Sequence, residues 1–145
     1  MNVINIAVTY GWEYRYAMRK DIPEIREIFD QAFPGRNMDD DDFLGIMDCE
    51  VCIDMKTSRI IGFTKFYKPE RGGVEIRLVA VRDGFRRQGV GTGLLRVIRE
   101  QTGKNLRFSI QPHGVYVGGE SFSYDTPAGR KLAEKCGVEV VSDEL

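Results

Sequence analysis

The sequence predicts a mixed α/β (α+β) fold built around one sheet. Strand-like segments alternate with segments whose apolar residues recur at helical spacing, in the order β-α-α-β-β-β-α-β-α-β. The 145 residues match the length of one ordinary domain, and 42% of them are hydrophobic, enough to build a core. No repeat, low-complexity tract or linker divides the chain, so we expect a single domain over residues 1–145.

The first third of the chain predicts extended structure followed by two helices. Residues 3–20 are rich in Val, Ile, Thr and Tyr, with Gly11 as a turn or bulge. The tetrapeptide Asp21-Ile22-Pro23-Glu24 begins a helix, with its aspartate as the cap and its glutamate able to reach back. Apolar residues follow at helical spacing until Pro34-Gly35 ends the run. A second, shorter helix is expected over about 40–48.

The remaining two thirds predict five strands and two helices. Lys56-Thr57-Ser58 and Arg71-Gly72-Gly73 are turn sequences, and a glycine-rich loop covers 114–119. The predicted strands lie at about 50–56, 59–67, 74–82, 105–110 and 138–141, and the predicted helices at 90–102 and 127–136.

The composition excludes several classes of function. With 21 Lys and Arg against 22 Asp and Glu, the chain lacks the basic excess of a nucleic-acid-binding protein. No apolar run approaches the roughly 20 residues that span a bilayer, and residues 1–20 do not form a secretory signal. Three cysteines are too few for a disulfide scaffold, and we therefore expect a cytoplasmic protein.

Cys49 and Cys52 form a CxxC motif. A structural zinc ion would need four ligands, and only Cys136 and His113 remain to complete the set. A redox CxxC opens a helix after a strand, whereas this one runs into a strand. We therefore expect buried or half-buried thiols and no metal site.

The segment Arg86-Arg87-Gln88-Gly89-Val90-Gly91-Thr92-Gly93 lies between the most strand-like run of the chain and an amphipathic helix. Glycines allow close backbone approach, and the N–H groups at a helix start bind anions, here beside two arginines. A Walker A loop anchored on Gly84 and Gly89 would need Lys at Val90, and GxGxxG would need Gly at Leu94. We predict a phosphate or pyrophosphate site, the alternative being a tight turn without a ligand.

These residues resemble the GCN5-related N-acetyltransferase (GNAT) family. Its pyrophosphate signature, Arg/Gln-x-x-Gly-x-Gly/Ala, is matched by Arg86-Arg87-Gln88-Gly89-Val90-Gly91. The strand before that loop usually ends in an apolar stretch, as Leu78-Val79-Ala80-Val81 does here. The resemblance extends from about Arg15 to Val141. It implies a central, twisted, mostly antiparallel sheet of six to seven strands flanked by about four helices.

The resemblance also implies acetyl-CoA as the cofactor and an amine as the acceptor. In the family, the fourth strand pairs with the pantetheine arm, which here implies Val79, Ala80 and Val81, with an N–H near Val79 polarising the thioester carbonyl. The loop that follows would hold the pyrophosphate through the residues Arg86, Arg87, Gln88, Gly89, Val90, Gly91 and Thr92.

An amine acceptor needs a general base, because a lysine-like amine has a reference pKa near 10.4. In the histone-acetylating branch of the family, a glutamate six residues before the last apolar position of the fourth strand removes the proton. Glu75 has that spacing from Val81, and alternation would place it on the same face as Arg77, Val79 and Val81. The alternative is a solvated glutamate paired with Arg77 or with a lysine on a neighbouring strand.

The usual general acid of the family is a tyrosine in a Leu-Tyr-Glu-Lys-x-Gly-Phe pattern, and Ala133 stands at that position. Tyr116 and Tyr124 precede this helix and are the candidate replacements, as is water. His113 follows a strand where the family's active site opens, so it is a second candidate base or an ordinary loop residue.

Residues 39–50 carry six carboxylates and no Lys or Arg. In the family, this region forms one wall of the acceptor groove, so the acidic run Asp39 to Asp42 would select a cationic acceptor. The alternative is that one aspartate caps the second helix, its neighbours favour the helix N-terminus, and the remaining carboxylates are solvated.

The leading prediction is an acetyl-CoA-dependent N-acetyltransferase that acts on a small-molecule or protein amine. The resemblance is also compatible with a homodimer. Two alternatives remain: an acyl-CoA-binding regulatory module without catalysis, and an interaction protein that presents its acidic patch to a basic partner.

Overall fold

A computed structural model of the chain describes residues 7–9, 11–32, 48–68, 70, 72–103, 105–110, 115–117, 120–122 and 127–142. The described strands are β1 (Ala7–Thr9), β2 (Trp12–Tyr16), β3 (Asp48–Asp54), β4 (Arg59–Tyr67), β5 (Val74–Val81), β6 (Leu106–Ile110), β7 (Val115–Val117), β8 (Glu120–Phe122) and β9 (Glu139–Ser142). The described helices are α1 (Ile22–Ala32), α2 (Val90–Thr102) and α3 (Pro127–Cys136).

Seven strands form one sheet in the order β1-β2-β3-β4-β5-β6-β9, and β7 and β8 form a separate hairpin. The pairs from β1 to β5 are antiparallel, while β6 pairs in parallel with β5 and with β9. The predicted fold class and mostly antiparallel sheet are therefore confirmed. None of the described helices is long and apolar enough to cross a membrane.

Most predicted elements are present with small shifts at their ends. The boundaries of β4, α2 and α3 are as predicted. The predicted glycine-rich loop over 114–119 is wrong in part, because β7 lies inside it and pairs with β8. Of the predicted helix at 40–48, only Asp48 lies in the described residues, and it begins β3 instead.

The start of α1 differs from the prediction. A 3-10 turn over Arg19–Asp21 precedes the helix, so the helical path begins three residues early. The Asp21 carboxylate accepts a hydrogen bond from the Met18 backbone N–H at 2.7 Å and two from the Arg15 guanidinium. Glu24 does not reach back, because its carboxylate accepts the Ile60 N–H of β4 at 3.1 Å. Asp21 therefore lies at the end of the 3-10 turn, where its carboxylate accepts the Met18 N–H, and it is not the N-cap residue of the helical segment.

The core lies on both faces of the sheet. On one face, four buried residues of α1, among them Ile25 and Phe29, pack on apolar side chains of β3, β4 and β5, including Leu78 and Ala80. On the other face, α2 and α3 pack on the strands through residues such as Leu95 and Ala133. We call these the α1 face and the α2 face.

Candidate active site

The sheet opens between β5 and β6. The two strands pair only at Val74–Leu106, Glu75–Arg107 and Ile76–Phe108. The other edge of β6 pairs with β9 from Arg107 to Ile110, and residues 78–81 of β5 pair with β4 alone among the strands that the structure describes. The edge of residues 77–81 that faces away from β4 therefore borders a cleft whose closed end lies at Ile76.

A β-bulge in β5 coincides with the closed end of this cleft. Leu78 pairs with Lys65 and Ile76 pairs with Phe66, which leaves Arg77 as the extra residue.

The bulge reverses the alternation of side chains along β5. Ile76 and Val79 pack on the α2 face, whereas Leu78 and Ala80 pack on the α1 face. The Thr64 hydroxyl donates to the Leu78 carbonyl at 2.8 Å beside the bulge.

The loop after β5 leads into α2 through residues 86–92. Arg87 and Gly89 have positive φ angles of +66° and +91°, and Gly89 precedes the first residue of the helix. The first backbone hydrogen bond of the helix runs from the Gly93 N–H to the Gly89 carbonyl, at 2.9 Å. In the part of the chain that the structure describes, no N–H of residues 86–92 donates a hydrogen bond. N–H groups at a helix N-terminus can bind an anion, and we call residues 86–92 the anion loop.

The side chains of this loop stabilise its shape. Arg86 donates from Nε to the Val81 carbonyl at 3.2 Å and pairs with Asp83 at 3.3 Å. The Gln88 side chain donates to the Gly84 carbonyl at 3.1 Å. Arg86, Arg87 and Gln88 are all exposed, so both guanidinium groups are accessible to an anion in the loop.

Three glycines let α2 approach the sheet and α3 closely. A Cβ on Gly62 of β4 would lie 2.7 Å from Val90 Cγ1, and one on Gly91 would lie 3.2 Å from Leu132 of α3. A Cβ on Gly93 would overlap the Tyr14 hydroxyl group of β2. Val90 is buried and Thr92 half-buried, so the start of α2 is anchored below the loop. Sequence reasoning missed Gly62 and Tyr14, because these contacts join distant segments.

Glu75 lies at the closed end of the cleft and is 3% exposed. Its carboxylate pairs with Arg77 at 3.8 Å and with Arg107 of β6 at 3.5 Å. The predicted face is wrong: Val74 and Ile76 pack on the α2 face, so Glu75 between them points to the α1 face, opposite Val79 and Val81. The bulge at Arg77 causes this difference. The expected pairing with Arg77 is present, but Glu75 is buried rather than solvated.

The candidates for the general acid are only partly described. Ala133 is 1% exposed and packs in the core of the α2 face, so its position offers no proton donor. The backbone of Tyr116 lies in β7 opposite Ser121. His113 and Tyr124 lie outside the described residues.

The CxxC motif is split between the two faces of the sheet. Cys49 packs on the α1 face and Cys52 on the α2 face, so the two thiols cannot form a redox pair. Burial raises the pKa of each thiol to about 12. The prediction of buried thiols is confirmed. No group of three His, Cys, Asp or Glu among the described side chains could hold a metal ion.

The chain matches the sequence model of the acetyltransferase (GNAT) family over residues 20–111. This region includes the cleft, the anion loop and the whole of α2. The match covers more than half of the chain, and the protein belongs to the GNAT acetyltransferase family. No curated protein sequence gives a significant match.

Several solved acetyltransferase structures have the same fold. AAC(6')-Iy in complex with the bisubstrate analogue CoA-S-monomethyl-acetylneamine is 16% identical with a TM-score of 0.64, over 88% of this chain and 90% of that one. The ribosomal-protein-alanine N-acetyltransferase of Brucella melitensis biovar Abortus 2308 is 17% identical with a TM-score of 0.64, over 92% and 94%. Ard1 of Thermoplasma volcanium is 21% identical with a TM-score of 0.60, over 88% and 82%.

Proposed function

We propose that this protein is an acetyl-CoA-dependent N-acetyltransferase that moves the acetyl group directly to a primary amine. One observation carries the proposal: an open strand edge at residues 77–81 leads to a loop whose N–H groups have no acceptor among the described residues. A pyrophosphate fits the loop, and an amide-containing arm fits the strand edge. Coenzyme A contains both groups in that order.

Two groups of residues would bind different parts of acetyl-CoA. The N–H groups of residues 86–92 and the exposed Arg86 and Arg87 would hold the pyrophosphate. The backbone of Val79, Ala80 and Val81 would pair with the arm along the cleft, leaving the thioester near its closed end. An N–H near Val79 would then stabilise the negative charge that develops on the thioester oxygen.

Glu75 is the proposed general base. It removes a proton from the ammonium form of the acceptor, directly or through water, and the free amine attacks the thioester carbonyl carbon. A C–N bond forms, the nitrogen releases its second proton to water, the C–S bond breaks, and coenzyme A leaves as a thiolate that takes up a proton. Water is the proposed donor of that proton, because Ala133 cannot supply one and a thiolate with a reference pKa near 8.5 is a tolerable leaving group.

The anion loop is tested by calorimetric titration of CoA into a Gly89→Val variant. The φ of +91° at Gly89 is strained for valine, and the side chain would enter the space a phosphate needs. Several charge-assisted hydrogen bonds of about 1.5–3 kcal/mol each would be weakened. We expect CoA affinity to fall at least about 100-fold.

Gly11→Val is the matched control, because Gly11 also has a positive φ, +82°, and also has no atom within 4 Å of its would-be Cβ. It places the same strain in the β1–β2 turn, away from the loop. Unchanged CoA affinity in Gly89→Val, or an equal loss in both variants, would overturn the proposed site.

The alternative function is an acyl-CoA-binding module without catalysis, and it is favoured by Ala133 at the usual place of the acid. Release of thiol from acetyl-CoA in the presence of a panel of amines separates the two functions. The N-acetyltransferase releases thiol with at least one amine, whereas the module binds CoA and releases none. An interaction protein would not bind CoA.

We further propose that the chain acts as a single domain in the cytoplasm, where its three free cysteines would stay reduced. A homodimer is a further prediction from the family resemblance. Analytical ultracentrifugation with and without CoA checks it.

A further inference from the structure

Two arginines surround Glu75 at the closed end of the cleft. Arg77 is the bulged residue of β5, and Arg107 of β6 is the direct cross-strand partner of Glu75. Their nitrogen–oxygen distances to the carboxylate, 3.8 and 3.5 Å, exceed the roughly 2.7–2.9 Å of a charge-assisted hydrogen bond. Both arginines thus neutralise Glu75 by charge without donating a close hydrogen bond to it.

These arginines retain unused donors. Among the described residues, Nε of Arg77 and Nη2 of Arg107 are buried and have no hydrogen-bond acceptor. The two side chains are only 16% and 21% exposed, so water cannot fully replace the missing partners. Buried donors of this kind cost free energy and are rare in proteins.

The position of this cluster indicates which anionic group could accept hydrogen bonds from these donors. The cluster lies where the acyl end of acetyl-CoA would arrive, so the inference rests on the proposed function. Positive and negative side chains lie within 4 Å of one another there. A complementary ligand carries an ammonium group and a carboxylate only a few bonds apart.

We propose that the acceptor is an α-amino acid or a close analogue, with its carboxylate bound by Arg77 and Arg107 and its amino group at Glu75. The Tyr67 ring, 5.9 Å from the Arg77 guanidinium carbon, supports the arginine from one side. The planar guanidinium groups suit a carboxylate because each can donate two parallel hydrogen bonds.

Binding is the test, because it does not require turnover. Protein saturated with CoA is titrated calorimetrically with each of the twenty standard L-amino acids and with its carboxamide, which retains the amine and loses the charge. We expect at least one amino acid to bind tenfold or more tightly than its amide. Arg77→Gln and Arg107→Gln should each remove about tenfold of that preference without weakening the binding of the amide.

Arg96→Gln on the exposed face of α2 is the matched control and should bind as the wild type does. Equal affinity of wild-type protein for every acid and amide, or no binding of any amino acid, overturns the inference and requires no variant to fold. If the protein acetylates an amine but does not prefer amino acids over their amides, the inference is wrong and the proposed function stands. If it binds an amino acid but releases no thiol from acetyl-CoA, the proposed function is wrong and the amino-acid site stands.

Discussion

Glu50 is a fully buried carboxyl group in the middle of the sheet. It lies on β3 between Tyr16 of β2 and Thr64 of β4, beneath α2. Burial raises its pKa from 4.5 to about 8, although the neighbouring Gln101 side chain and the positive charge of Arg15 act in the opposite direction. Glu50 is therefore mostly protonated in the folded protein at neutral pH.

The raised pKa of Glu50 predicts a loss of stability with rising pH. Below pH 4.5 Glu50 is protonated in both the folded and the unfolded chain, and its contribution to the free energy of unfolding is fully present. Between pH 4.5 and about 8 only the unfolded chain loses the proton, so the free energy of unfolding falls. At about 1.4 kcal/mol per pKa unit, the loss is on the order of a few kcal/mol.

Glu50→Gln keeps the shape and removes the titration, so we expect a smaller loss of stability across this window. Urea unfolding at pH 5 and pH 8 measures it. Glu134→Gln, on the exposed side of α3, is the control and should retain the wild-type slope. If the free energy of unfolding of Glu50→Gln falls with pH as steeply as that of the wild type, another group causes the pH dependence.

Glu75→Gln tests the proposed base. We expect CoA binding to persist and kcat to fall roughly 10²–10⁴-fold, the usual contribution of acid–base catalysis. High pH should restore activity, because it deprotonates the amine without a base. If activity stays low at high pH, the base role is wrong, and His113→Ala is the next variant to assay.

At the scale of elements, the docking of α2 on the sheet positions the anion loop. Gly93 of α2 lies against the Tyr14 ring, with a would-be Cβ 2.9 Å from Tyr14 Cζ and closer still to the hydroxyl oxygen. Tyr14 is 1% exposed and in the core of the α2 face, so it cannot move aside without disturbing its neighbours.

Gly93→Ala should therefore destabilise the protein by about 1–3 kcal/mol, as overpacking does. The sign is diagnostic, because Gly→Ala inside a helix otherwise stabilises by about 0.5–1 kcal/mol. Urea unfolding measures it, with Glu100→Ala on the exposed side of α2 as control. Tyr14→Phe in the Gly93→Ala background should recover part of the loss. A stabilised Gly93→Ala variant would contradict the tight contact.

The elements also show how far local sequence signals extend. Apolar spacing and glycine stops predict α2 and α3 to the residue, since these signals act within a few neighbours. The local pattern predicts Asp21 as the cap of α1. Its actual role depends on Arg15, which belongs to a strand of the sheet, and local reasoning could not include it.

At the scale of the whole molecule, two features predict opposite charges for the acceptor. The acidic run Asp39 to Asp42 predicts a cationic acceptor, and it lies outside the described residues. The pair Arg77 and Arg107 predicts a carboxylate at the amine-binding end of the cleft. The two predictions are separable because they assign selection to different side chains.

Replacing Asp40 to Asp42 by Asn tests the first. If these aspartates select the acceptor, KM for a polycationic amine should rise much more than KM for a monoamine. The difference should shrink toward 1 M salt, where the Debye length is about 3 Å. Steady-state kinetics at low and high salt measure it. Equal changes in KM for both amines, or a loss of thermal stability alone, would leave these aspartates with a capping role.

The fold class, most helices and strands, the loop before α2 and the family resemblance could all be predicted from the amino-acid sequence. These features follow from periodicity, glycine placement and one short motif, which are local properties of the chain. Arg86 to Thr92 could be found because the loop and its helix are contiguous. The burial of both thiols could also be predicted, because strand composition around Cys49 and Cys52 implies it.

The surroundings of Glu75, by contrast, depend on pairing between strands that are distant in the sequence. The bulge at Arg77 depends on the register of β5 against β4, and the partnership with Arg107 depends on parallel pairing with β6. Strict alternation predicted the wrong face because one extra residue reverses every side chain beyond it. Strand register comes from packing between distant segments, so the buried charge cluster could be read only from the folded chain.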